Sequence, residues 1–111
     1  MEQLSSMEIG IDIVRIKRFK LLIKGDLKYW GHVFTRQEWE YAFKKSGAAL
    51  RLSGIFAAKE AALKAVGTKN KTPASFELFH EKSGKPFFKN RRLKVSISHD
   101  GEYAVAVVVK V

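Results

Sequence analysis

Leu52-Ser53-Gly54-Ile55-Phe56-Ala57-Ala58-Lys59-Glu60-Ala61-Ala62-Leu63-Lys64-Ala65-Val66-Gly67-Thr68 is the stretch on which the reading of the fold turns. It predicts one long helix that starts near Ala48 and stops at Gly67. Leu52, Ile55, Phe56, Leu63 and Val66 recur at helical spacing and make an apolar stripe. Ala57, Ala58, Ala61, Ala62 and Ala65 are strong helix formers that leave little bulk on the remaining surface. Gly67 tolerates the left-handed backbone that ends a helix. Lys59, Glu60 and Lys64 are the charged residues set into this small-residue frame. Glu60 and Lys64 share a face. One reading is an exposed ion pair contributing roughly a few tenths of a kcal/mol. The other is a metal-binding carboxylate beside a phosphate-binding lysine.

Upstream, residues 7–16 alternate in part, with Ile9, Ile11 and Ile13 on one face and Gly10 and Asp12 on the other, which predicts a strand. Aspartate is a poor strand former, so Asp12 needs a reason. It is either an edge position facing water or a functional group. Residues 17–30 are basic and amphipathic, with Phe19, Leu22, Ile23 and Leu27 apolar; Gly25-Asp26 breaks them into a short helix and a second turn. Arg15, Lys17, Arg18, Lys20, Lys24 and Lys28 form a dense cationic surface, whose ordinary fate is to be a solvated face. Thr35 as N-cap with Glu38 makes a capping box, and Phe34 with Trp39 makes a hydrophobic staple. That helix is expected to continue through Tyr41 and Phe43 to Ser46-Gly47.

Downstream, residues 69–73 are a basic, polar loop and residues 75–81 alternate as a strand. Ser83-Gly84-Lys85-Pro86 is a turn, Phe87-Phe88-Lys89 a short strand, and Asn90-Arg91-Arg92 a basic turn. Residues 93–98 are a strand, His99-Asp100-Gly101 turns it, and residues 102–111 return as its hairpin partner. That last strand is apolar on both faces, so it is expected to be central. Strand, helices, then a run of strands make an α+β fold, a mainly antiparallel sheet packed against the long central helix.

The chain of 111 residues, 46% hydrophobic, suits a single domain over residues 7–111, with residues 1–6 expected as a disordered lead-in and Met7 a plausible start. There is no cysteine, which excludes disulfides, thiolate metal sites and a cysteine nucleophile. A cytoplasmic protein is expected. No apolar run approaches ~18 residues, and the N-terminus lacks the apolar core of a signal peptide, so no membrane is expected as partner. Lys and Arg number 21 against 11 Asp and Glu, a net charge of +10 that favours an acidic partner. Charge alone leaves open nucleic acid, an anionic membrane, a polyphosphate ligand or an acidic protein.

Three separated segments narrow the choice: Gly10-Ile11-Asp12-Ile13-Val14; Phe56-Ala57-Ala58-Lys59-Glu60-Ala61 through Lys64 to Gly67-Thr68; and Ser96-Ile97-Ser98-His99-Asp100 followed by Glu102-Tyr103-Ala104. Phe34-Thr35 with Glu38, and Gly84-Lys85-Pro86, lie between them. In this order and at these separations they resemble the short bacterial 4′-phosphopantetheinyl transferases, the holo-acyl-carrier-protein synthases. The resemblance implies transfer of the 4′-phosphopantetheine arm from coenzyme A to a serine of apo acyl carrier protein, releasing adenosine 3′,5′-bisphosphate, in support of fatty acid biosynthesis. It implies a divalent cation, normally Mg²⁺, and a homotrimer with active sites between neighbouring subunits.

By family position Asp12 and Glu60 are the metal ligands, Lys64 is the catalytic group that reaches the pyrophosphate, and His99, assisted by Ser98, contacts a coenzyme phosphate. Arg15 and Arg18, following the strand that carries Asp12, are the expected contacts for the acidic carrier protein, with Arg18 the best single one. Mg²⁺ suits a pair of carboxylates because water and phosphate oxygens complete its octahedron. No side chain is a secure general base; water near the cation is the first choice, because a cation makes such water easier to deprotonate. The chain departs from the family at Ile55, where relatives carry arginine, at Lys69, where they carry glycine, and over residues 87–95, where they carry a helix. The competing readings are a small basic nucleic-acid-binding domain and a transferase of the same family acting on another carrier domain. The first lacks any RNP, zinc-finger or KH signature, and Asp12 and Glu60 would repel phosphate unless a cation lay between them.

Overall fold

The computed structural model describes residues 6–111; apart from Ser6, the expected lead-in lies outside the described residues. The chain runs through β1 (Glu8–Arg15), α1 (Leu27–Trp30), α2 (Arg36–Ala42), α3 (Ala48–Val66), β2 (Leu78–His80), β3 (Pro86–Phe88), β4 (Leu93–Asp100) and β5 (Tyr103–Lys110). Short 3₁₀ turns at Ile16–Phe19, Lys24–Asp26 and Pro73–Ser75 join these elements. β1, β5 and β4 form an antiparallel sheet in that order, with β5 central as its two apolar faces require. β2 and β3 make a separate hairpin. The result is the expected α+β architecture, an antiparallel sheet against one long helix.

α3 crosses the sheet, and the reason it lies so close is its alanines. Ala57, Ala58, Ala61, Ala62 and Ala65 are all buried, as are Leu52, Ile55 and Leu63. The expectation of an apolar stripe with alanines on the remaining surface is therefore corrected: the helix is buried nearly all round, and the alanines are its contact surface. A small-residue face lets backbone approach backbone. At Gly10 in β1 that approach is extreme, since a Cβ there would lie 2.0 Å from the Ala61 carbonyl oxygen. Gly67 ends the helix with φ 102°, as its position predicts.

This packing decides which side of β1 faces inward. Gly10, Asp12 and Val14 face α3, while Ile9, Ile11 and Ile13 are 68%, 61% and 61% exposed. Asp12 thus lies on an edge strand but points into the sheet–helix seam rather than to water.

Four other elements differ from expectation. α2 keeps its capping box and staple, with Phe34 and Trp39 ring centroids 5.6 Å apart, but stops at Ala42 instead of Ser46-Gly47. The Arg51 guanidinium reaches back to accept this early stop, donating to the carbonyls of Ala42, Lys45 and Ser46. The strand expected over 75–81 shrinks to Leu78–His80, because Pro73 opens a 3₁₀ turn whose entry Ser75 caps through the Thr72 amide. β4 runs on through His99 and Asp100, and Gly101-Glu102 alone turn the hairpin, with Gly101 at φ 58°. After β1 the basic segment winds into 3₁₀ turns around the buried ring of Phe19, leaving Leu21 93% and Ile23 66% exposed. No helix occupies residues 87–95, in keeping with the short segment there. Among the described residues no helix is long and apolar enough to cross a membrane.

Candidate active site

Asp12 and Glu60 meet where β1 passes under the second half of α3. The Asp12 side chain is 16% exposed. Lys64 Nζ donates to the Ile11 carbonyl at 2.9 Å and to Asp12 Oδ1 at 3.2 Å. Lys64 therefore pairs with the strand, not as the simple i,i+4 partner of Glu60 that helical spacing allows. Glu60 lies one turn earlier on α3. Burial, and next the negative charge of Asp12, raise its pKa above the ordinary carboxylate range; Lys64 and Arg18 pull it back. A carboxylate whose charged form is disfavoured by burial and by a second carboxylate makes a site that a cation stabilises. Among the described residues no third Asp, Glu, His or Cys joins them in a cluster. Two carboxylates with room for water and phosphate oxygens are a donor set that fits Mg²⁺.

Arg18 closes one side of this cluster. Its guanidinium lies 5.0 Å above the Phe56 ring and 5.8 Å from the centre of Phe19. Arg15 stands apart, over the Tyr103 ring at 5.0 Å and 3.8 Å from Glu102.

His99 and Ser98 fall on opposite faces of the sheet. The row Asp12–Ala106–Ile97 and the row Val14–Ala104–His99 run across the helix-facing side. His99 is therefore about 12 Å from Asp12, two strands across and one rung along. Its ring packs on α3 at Gly54, where an added Cβ would lie 3.1 Å from Nε2. There it borders a groove of about 190 Å³ shared with Tyr41, Ile55, His80 and Pro86. Ser98 instead alternates to the outer side of β4 with Ile13, Tyr103 and Val105, lining a pocket that His99 and Asp100 also border. Ile55 is buried in the groove wall, and nearby Arg51 is already committed to the end of α2.

His80 stacks on Tyr41 with centroids 3.8 Å apart, and its Nδ1 is buried with no hydrogen-bond partner among the described residues. Burial, then the charge of Lys44, hold its pKa down to about 4 against an ordinary 6.5. Between those values the unfolded chain binds more protons than the folded one, so stability falls as the pH falls. His80→Phe keeps the stack and removes the titration. It is expected to recover roughly 1–2 kcal/mol of the loss on going from pH 7 to pH 4.5, after discount for solvent screening. Thermal melts of both proteins at the two pH values measure this.

One charged pair in the interior has no counterpart in the sequence reading. Lys59 and Glu38 are both fully buried. Lys59 Nζ donates to Glu38 Oε1 at 2.9 Å, to Oε2 at 2.8 Å and to the Phe76 carbonyl at 2.8 Å. Glu38 also accepts from the amides of Thr35 at 2.8 Å and Leu78 at 2.7 Å. Burial lowers the Lys59 pKa, and the Glu38 carboxylate opposes that by raising it. The signal was available: a lysine inside a helix otherwise lined by alanine has no polar face to occupy, so it needs a buried partner.

The site thus sits on an antiparallel sheet of three strands crossed by one alanine-faced helix, with a carboxylate from each and a lysine bonded to the strand's carboxylate. The chain belongs to the 4′-phosphopantetheinyl transferase superfamily, whose family model matches residues 8–108. It is 41% identical over 109 residues to the holo-[acyl-carrier-protein] synthase of Bacillus cytotoxicus, covering 91% of this chain and 92% of that protein. The enzyme of the same name from Protochlamydia amoebophila is 36% identical over 118 residues, covering 94% and 97%. Among solved structures, a Bacillus anthracis holo-(acyl-carrier-protein) synthase in complex with CoA (3′,5′-ADP) superposes with a TM-score of 0.75 at 36% identity, covering 93% and 94% of the two chains. The Neisseria meningitidis synthase gives 0.75 at 30% identity, covering 94% and 97%.

Proposed function

We propose that this chain transfers the 4′-phosphopantetheine group of coenzyme A to a serine hydroxyl of an apo acyl carrier protein, in the cytoplasm and in support of fatty acid biosynthesis. The observation that carries the reading is the Asp12–Glu60 carboxylate pair with Lys64 bonded into it, in a chain of this family. The serine hydroxyl gives its proton to nearby water as its oxygen bonds to the phosphorus that bears the pantetheine. The bond from that phosphorus to the bridging oxygen breaks, and adenosine 3′,5′-bisphosphate leaves with that oxygen. Asp12 and Glu60 would hold a Mg²⁺, which supplies positive charge to the pyrophosphate. Lys64 spends two of its donors on Ile11 and Asp12 and is 56% exposed, so a third faces outward for a phosphate oxygen of the departing bisphosphate. His99, assisted by Ser98, takes another coenzyme phosphate. Incubating apo carrier protein with coenzyme A and the enzyme tests the reading: its intact mass gains one phosphopantetheine with Mg²⁺ and not with chelator. No mass gain under any metal would overturn it.

The assembly we infer is a homotrimer with active sites between neighbouring copies. Two observations support it. The pocket that Ser98 and His99 both border lies on the outer face of the sheet beside Ile13, Tyr103 and Val105, where a second copy would complete it. The outer face of that sheet shows Ile9, Ile11 and Ile13 more than half exposed, a hydrophobic patch that solvent disfavours. An active preparation is expected to sediment with the mass of three chains at micromolar concentration. A mass of one chain would contradict the shared site.

The carrier protein docks on the basic surface after β1. Acyl carrier proteins are acidic, and complementary fields raise the encounter rate and orient the serine. We expect kcat/KM for the carrier to fall steeply with added salt, and Arg18→Glu to raise its KM at least about tenfold more than that for coenzyme A. Because Arg18 also offsets the charge of Glu60, the comparison is made at saturating Mg²⁺. Unchanged carrier kinetics in the variant, with no salt effect, would leave these residues a solubilising role only.

A further inference from the structure

The buried Lys59–Glu38 pair reaches further than the core it sits in. Each of the three N–H donors of Lys59 has an acceptor, two on Glu38 of α2 and one on the Phe76 carbonyl. Glu38 in turn holds the Thr35 amide at the start of α2 and the Leu78 amide at the start of β2. One ion pair thus ties together three parts of the chain that share no hydrogen-bonded sheet. Lys59 immediately precedes Glu60, so whatever fixes the rotation of α3 at Lys59 also fixes where the Glu60 carboxylate points. At the other end of the network, β2 carries His80, and its hairpin partner β3 begins at Pro86. Both residues wall the groove beside His99.

The small, similar alanines that pack α3 on the sheet do not by themselves set its rotation sharply. Three directional bonds from one ammonium do. We propose that Lys59 and Glu38 are a positioning pair: they lock α3 against α2 and the β2–β3 hairpin, and so hold the Glu60 carboxylate and the wall of the His99 groove in fixed relation. An ion pair kept where apolar side chains would fill the same space is consistent with a need for one geometry rather than for stability.

The proposal rests on the transferase reading, and the test separates the two. In wild-type protein, Mg²⁺ binding by calorimetry and transfer by mass gain establish the reading itself. Lys59→Met is then measured at a temperature where circular dichroism and a melt show it folded. The expected result is a Mg²⁺ affinity lower by about tenfold and a kcat lower by about 100-fold, as a misplacement near 1 Å gives. The KM for the carrier protein, whose docking surface is the basic segment after β1, changes less than either. Because the chain has no cysteine, Lys59→Cys alkylated with bromoethylamine in denaturant and refolded restores a lysine-like ammonium at this one position. It is expected to recover both Mg²⁺ affinity and kcat. Should Lys59→Met not fold, Glu38→Gln, which keeps an acceptor and the shape, carries the same measurements. A folded variant with Mg²⁺ affinity and kcat within about twofold of wild type, while wild type transfers normally, would overturn the positioning role and leave the pair a core contact.

Discussion

Asp12→Ala and Glu60→Ala are each expected to lower transfer on the order of 10³-fold while the protein stays folded. The two variants differ in what they do to stability. Glu60 has its pKa raised in the folded protein, first by burial and then by Asp12. A carboxyl raised in this way destabilises the fold as the pH climbs through the ordinary carboxylate range, and the penalty is complete above the raised value. Glu60→Ala removes that penalty, so its melting temperature at pH 7 is expected to equal or exceed that of wild type. Asp12→Ala removes the partner of Lys64, an exposed lysine, and is expected to cost only about 0–1 kcal/mol. Activity lost without stability lost is the signature of a site. Full transfer in either variant at low Mg²⁺ would sink the pair as metal ligands.

Gly10→Ala is expected to have the largest effect of any change outside the charged cluster. The new Cβ would stand 2.0 Å from the Ala61 carbonyl oxygen and 2.8 Å from the Ala65 amide nitrogen. Both are helix backbone, so neither can swing aside, and β1 must lift from α3. Overpacking of this kind costs about 3 kcal/mol or more. Asp12 lies two residues along the same face of the strand, so the lift carries it away from Glu60. A displacement near 1 Å in a group that positions substrate costs about 100-fold in rate. The melting temperature should therefore drop, and transfer by the fraction that remains folded should fall as well. A variant that melts and transfers like wild type would show that the helix and strand are not in the contact described. At Gly54 the same substitution meets the far end of the His99 ring, which can rotate, so a smaller effect follows there.

Asp12 was legible as a candidate because an aspartate in the middle of a strand breaks a local rule. Glu60 breaks none, since a glutamate four residues before a lysine is ordinary on a helix; the resemblance alone singled it out, and the fold places it beside Asp12. Gly10 announced a close approach only in retrospect: a glycine in a strand reads equally as a weak position or a contact. The inward face of β1 could not be read from its alternation, since the larger side chains are on the outer, exposed face. That inversion makes sense if a second copy covers the isoleucines. The helix stripe misled for a related reason. Periodicity finds the bulky face, but close packing against a sheet selected the small one. Lys59 and Glu38 were each visible, one in the helix and one in the capping box, yet a contact between residues 21 apart has no signature in spacing. The split of Ser98 from His99 across the sheet followed from β4 continuing to Asp100, where a turn had been expected.

The central claim, that Asp12 and Glu60 share one cation, is tested most directly by anomalous scattering from crystals grown with coenzyme A and Mn²⁺ in place of Mg²⁺. The account predicts an anomalous peak within coordination distance of one carboxylate oxygen from each residue, with a coenzyme phosphate oxygen on the same ion. A peak that touches neither carboxylate, with coenzyme A bound, would contradict it.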